Sequence, residues 1–93
     1  MKHYIIVKFK ETVDFHKLVK PIEDIFNECL KIEGISGIEV RVSNSKRVNR
    51  HDLMIKMELT ESALLVYDES EPHKQWKEAY GQLILSKTIF DCD

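Results

Sequence analysis

Ile38-Glu39-Val40-Arg41-Val42, a polar run from Ser43 to Arg50, and then Leu53-Met54-Ile55-Lys56-Met57-Glu58-Leu59 form the stretch on which the fold turns. Both apolar runs alternate with polar residues at period two, so each reads as a strand with one face toward a core. The connection carries Asn44, Lys46, Arg47, Asn49 and Arg50 and reads as a loop or wide hairpin turn. Two strands therefore follow one another with no helix between them.

On the N-terminal side, residues 14 to 32 carry Phe15, Leu18, Val19, Ile22, Ile25, Phe26, Cys29 and Leu30 at three- and four-residue steps. That spacing predicts a helix with one apolar stripe. Asp14 is a candidate N-cap, and Pro21 predicts a kink or, failing that, a start at Lys20-Pro21. Gly34 suits a left-handed position after the helix. Before this helix, residues 3–10 alternate His3, Ile5, Val7 and Phe9 against Tyr4, Ile6, Lys8 and Lys10, which predicts another strand.

On the C-terminal side, Thr60 is a candidate N-cap for a short helix carrying Ala63, Leu64, Val66 and Tyr67. Asp68-Glu69-Ser70-Glu71-Pro72 interrupts it, and Ser70 can cap a second helix whose stripe is Trp76, Ala79, Tyr80 and Leu83. Ile84 to Phe90 reads as a last strand, followed by the tail Asp91-Cys92-Asp93. The order is βαββαβ with the second helix split. It predicts a ferredoxin-like α+β sandwich: a four-stranded antiparallel sheet with its helices on one face.

The helix-facing side of such a sheet carries His3, Ile5, Val7, Phe9, Ile38, Val40, Val42, Leu53, Ile55, Met57 and Leu59. The other side carries Tyr4, Ile6, Lys8, Glu39, Arg41, Met54, Lys56 and Glu58, half apolar and half charged. A face of that composition suits cover by a partner, with the charged heads reaching the rim. A chain of 93 residues builds one domain with a thin core and has nothing left to cover that side itself, so a second copy is the expected partner.

Composition narrows the function classes. The net charge is −2, which gives no overall basic field for nucleic acid or an anionic membrane. The basic group Arg41, Lys46, Arg47 and Arg50 reads as a solvated loop or an anion contact, and the outer sheet face offers no row of aromatics for stacking bases. No apolar run approaches a membrane span, and the opening residues do not read as a signal peptide. Cys29 and Cys92 form no Cys-x-x-Cys pair and are expected as reduced thiols in a cytoplasmic protein. His51 and Asp52 are adjacent on a strand and point to opposite faces, so no metal site or other cofactor is expected.

Four stretches together resemble the stress-responsive dimeric α/β-barrel (Dabb) domain family. They are the opening Lys2-His3-Tyr4-Ile5-Ile6-Val7-Lys8-Phe9-Lys10, the Asp52-led third strand, the segment Tyr67-Asp68-Glu69-Ser70-Glu71-Pro72-His73, and the ending Ile89-Phe90-Asp91. Two features depart from the family pattern. Ser70 stands where the family has the first His of its Tyr-x-x-His-Pro-x-His element, with the proline one place later, and the loop after the second strand is rich in Lys and Arg.

The resemblance implies a homodimer in which two subunits pack open sheet face to open sheet face as an eight-stranded barrel. It also implies a small apolar pocket per subunit. Most members have no assigned reaction; some relatives are polyketide cyclases or cofactor-free monooxygenases. In the cyclase branch the resemblance places the chemistry on Tyr67 and His73, with His3 lining the same pocket. Ile5, Val7, Phe15, Ile22, Ile55 and Trp76 are the expected pocket-lining side chains, and Asp52 the nearest candidate for an orienting acid. Two functions stay open: acid/base chemistry on a small aromatic substrate, and a ligand-binding regulatory module without catalysis.

Overall fold

The computed structural model describes residues 1–93. Strand β1 spans Lys2–Phe9, and alternate residues are buried along its whole length, as period two requires. Helix α1 covers Val19–Glu28, β2 Ile35–Val42, β3 Leu53–Leu59, α2 Glu61–Asp68, α3 Glu71–Tyr80 and β4 Ile84–Cys92. The four strands form one sheet in the order β2-β3-β1-β4, with every neighbouring pair antiparallel. Ile5, Val7, Leu53, Ile55 and Met57 of the sheet pack with Ile22, Phe26, Tyr67 and Trp76 of the helices. The helices therefore cover one face, and the chain has the ferredoxin-like α+β fold.

The region read as one kinked helix is three pieces. Phe15–Leu18 and Cys29–Lys31 are 3-10 turns flanking α1. Pro21 falls in the first turn of α1, where a helix needs no amide donor, so the α-helical segment starts near the proline instead of bending around it. Asp14 makes no side-chain cap; its carbonyl accepts from the Lys17 amide at 3.3 Å. Thr60 and Ser70 do cap: their hydroxyls accept from the Ala63 and His73 amides at 3.2 and 3.3 Å.

Two strands are longer than their alternation indicated. β2 starts at Ile35, directly after Gly34, whose φ of +96° is the left-handed conformation expected of it. β4 runs on through Asp91 and Cys92, because β1 pairs with it as far as Lys2 opposite Cys92. That extension places Asp91 in the sheet instead of in a tail.

Candidate functional site

His3 is buried, at 7% exposure, beside the apolar side chains of the core. Its strand lies between β3 and β4, and the register sets it opposite Met57 on one side and Asp91 on the other. The His3 Nδ1 lies 2.5 Å from the Asp91 Oδ1. A carboxylate accepts only, so Nδ1 carries the proton and Nε2 is left as the acceptor of the neutral ring. The acid that orients this ring is Asp91. Asp52 is engaged elsewhere, since its Oδ2 accepts from the Phe9 amide at 2.8 Å and ties the start of β3 to the end of β1.

Tyr67 stands in the last turn of α2, with its ring against three others. The centroid of His73 is 4.8 Å away, that of His3 6.1 Å and that of Phe26 6.4 Å. It is 2% exposed, and its hydroxyl is buried with no hydrogen-bond partner. Burial, followed by the nearby Cys29 and Asp68, pushes its pKa above the usual tyrosine range, so the hydroxyl holds its proton and remains a donor.

His73 is the third residue of α3 and half-buried. Its Nδ1 donates to the Asp68 carbonyl at 2.8 Å, which again leaves Nε2 as the acceptor. Ser70 fixes the geometry between the two helices. Its hydroxyl donates to the Tyr67 carbonyl at 2.7 Å while accepting the His73 amide. Ser70 thus bridges the end of α2 at Tyr67 and the start of α3 at His73.

The structure brings Tyr67, His73 and His3 into one cluster and adds Asp91, whose place opposite His3 is invisible without the strand register. Ile5, Val7, Ile22, Ile55 and Trp76, expected from the sequence to line a pocket, are instead buried in the hydrophobic core, and the cavity beside His73 is lined by none of them. Phe15 sits at the margin of that core, stacked on Phe9 at 5.6 Å. The cavity, of about 400 Å³, opens at the surface and is lined by Asp68, Ser70 and Lys77 among others, all polar or charged. Such a set can hold and polarise an oxygen atom: a buried O–H donor on a ring that lies near two imidazoles.

Fold and cluster together define a ferredoxin-like sandwich domain with a Tyr–His–His–Asp constellation on the helical side of its sheet. No family model and no curated protein matches the chain. Solved structures do. A dimeric ferredoxin-like protein of unknown function from Thermobifida fusca is 10% identical, with a TM-score of 0.79 over 96% of this chain and 85% of that one. A Dabb family protein with a ferredoxin-like fold from Mesorhizobium loti is 14% identical, with a TM-score of 0.67 over 99% and 93%. The hydroxynitrile lyase of Passiflora edulis is 9% identical, with a TM-score of 0.75 over 96% and 87%.

Proposed function

We propose that this chain is one subunit of a Dabb-type homodimer that binds a small oxygen-bearing molecule at the His3–Tyr67–His73 cluster. The observation that carries the reading is the Tyr67 hydroxyl, fully buried and without a partner, on a ring packed near those of His3 and His73. An unpartnered buried hydroxyl costs about 1–3 kcal/mol, a cost that a ligand carbonyl or phenolate oxygen would remove. The homodimer is supported by the open sheet face, where Tyr4 lies beside Phe90 with ring centroids 6.4 Å apart and Phe90 is 58% exposed. Structural neighbours described as dimeric point the same way. Free thiols at Cys29 and Cys92 agree with a reducing, cytoplasmic setting.

Acid/base catalysis on the bound molecule is the second reading, and the short His3–Asp91 contact favours it. A histidine oriented by a carboxylate is equipped to take a proton from a substrate carbon or hydroxyl while Tyr67 donates to the oxygen that gains charge. A non-catalytic ligand site uses the same contacts without proton transfer. The test is a titration of the protein with small aromatic ketones and phenolic acids, followed by the ring-proton signals of His3 and His73. Saturable shifts of both rings that vanish in Tyr67→Phe are expected. Shifts that survive the substitution, or a panel that moves neither ring, would remove the site. Turnover lost in His73→Ala separates enzyme from binding module, and sedimentation at twice the 11.0 kDa chain mass is expected of the dimer.

A further inference from the structure

The Tyr67 hydroxyl is sealed inside the protein. It is buried from solvent, and the cavity beside His73 is lined by neither Tyr67 nor His3. A packed interior makes no room for a molecule of several heavy atoms without a discrete opening. A ligand that accepts from this hydroxyl, as the proposed function requires, therefore enters only when one of the elements around it moves. The rings nearest Tyr67 come from His3 on β1, Phe26 on α1 and His73 on α3, and Tyr67 itself belongs to α2. The exposed edge strand β4 carries none of them.

These four elements are not held alike. β1 is paired on both sides, by β3 and β4. α1 and α3 are joined through Phe26 and Trp76, edge to face with centroids 5.2 Å apart, and each buries a second large side chain, Ile22 and Tyr80. α2 buries only Ala63 and Tyr67, while Leu65 and Val66 are 69% and 55% exposed. Its one large anchor is thus the tyrosine whose hydroxyl is unsatisfied. Release to water hydrates that group and offsets part of the apolar burial lost. Polar ties are confined to the ends of the helix. The Thr60 amide donates to the Gly34 carbonyl at 2.9 Å, the Ser70 hydroxyl to the Tyr67 carbonyl at 2.7 Å, and the His73 Nδ1 to the Asp68 carbonyl at 2.8 Å. The carboxylates of Glu61 and Asp68 enter no ion pair.

The geometry points to α2 as the gate of the site: Glu61–Asp68 undocks locally and uncovers the Tyr67 hydroxyl while the sheet, α1 and α3 stay folded. The role of the gate rests on the ligand site proposed above, whereas the opening itself is a property of the free protein. An eight-residue helix does not hold its own hydrogen bonds in water, so α2 frays when it undocks and its amides open with it. Reclosure over a bound molecule gives the hydroxyl the partner it lacks, so a ligand stabilises the docked helix.

Amide hydrogen exchange of the intact protein, read residue by residue in urea concentrations short of unfolding, tests the gate. The amides of Leu65 to Asp68 bond within α2. They should exchange at least about tenfold faster than the β1 amides paired with β3, through an opening that depends only weakly on urea. His73→Ala, which removes one tie at the end of the helix, should speed that exchange about fivefold. Acetophenone and 4-hydroxybenzoate then probe the site. A compound that shifts the His3 and His73 ring signals should slow α2 exchange, and its binding rate should level off at the rate of opening. Exchange of α2 only together with the central strands, at their urea dependence, would overturn the gate and leave the ligand site standing. A binding rate that climbs past the rate of opening would also overturn it, since the ligand then enters elsewhere. Rapid α2 exchange with no ring shift from either compound supports the opening and counts against the ligand site instead.

Discussion

Replacing Tyr67 with phenylalanine removes one oxygen atom and little else. The ring keeps its contacts with His73, His3 and Phe26, and the site is too buried for water to compensate the change from outside. The hydroxyl makes no hydrogen bond in the free protein. Its desolvation is therefore uncompensated, a penalty of about 1–3 kcal/mol that the phenylalanine side chain does not carry. The variant is expected to be more stable than the parent by at least about 1 kcal/mol. For a domain of this size that is a rise of about 4–8 °C in Tm. With a urea m-value of roughly 1–1.5 kcal/mol/M, the midpoint should rise by about 0.7–1 M. The assay is urea unfolding followed by circular dichroism, with parent and variant at the same protein concentration because a dimer's stability depends on it. A fall of more than about 0.5 kcal/mol would refute the reasoning, since it would mean that the hydroxyl already has a partner, such as an enclosed water. Greater stability combined with lost ligand binding is the signature of a residue kept for function at the expense of the fold.

Asp91→Asn should destabilise the protein by about 1–2 kcal/mol, as the charge-assisted bond to His3 is lost from a partly exposed position; unfolding by urea measures it. Gly34→Ala should cost more than about 2 kcal/mol, because an alanine Cβ there meets the Thr60 Oγ1 at 2.6 Å and the Ala63 Cβ at 2.9 Å with φ already at +96°. Burial, with the nearby Glu28 adding to it, pushes the Cys29 thiol from 9.0 up to about 11. The folded state thus holds a proton that the unfolded chain releases, so stability is flat below pH 9 and falls between pH 9 and about 11, by roughly 2 kcal/mol from this group. A thiol reagent at pH 8 should accordingly modify Cys92 quickly and Cys29 only on unfolding. Phe90→Lys, on the open face, should shift sedimentation from two chain masses toward one; an unchanged dimer would place the interface elsewhere.

Strands β1 and β3 and the caps at Thr60 and Ser70 were legible because their causes are local, whereas Asp14 does not cap and the ends of β2 and β4 were not legible. Alternation in β1 and β3, the hydroxyls of Thr60 and Ser70, and the glycine at position 34 each act within a few residues. The region around Pro21 was less so. Its apolar stripe does not distinguish a continuous helix from an α segment flanked by 3-10 turns, since both keep Phe15, Ile22, Phe26 and Cys29 on one side. Within the candidate site, Tyr67 and His73 are neighbours in sequence, joined by one capped turn, and their proximity could be expected from the chain itself. Asp91 could not. Its partner is 88 residues away, and only the β1–β4 register, carried past Phe90, brings the two together. Nor does the sequence distinguish Arg41 and Arg50 from Lys46 and Arg47; in the structure only Arg41 and Arg50 line a cavity that Ile6 and Met54 share.

The edge position of β4 has a consequence for when the site exists at all. From Leu85 to Asp91 this strand is exposed, so its docking rests on the backbone ladder to β1 far more than on buried side chains. Segments of that kind open first and close last in native-state fluctuations. Whenever β4 lifts, Asp91 departs with it and His3 loses the group that sets its tautomer, while β1, β2, β3 and the helices still stand. The orientation of His3 is therefore tied to the pairing of the outermost strand, because Asp91 is carried on it.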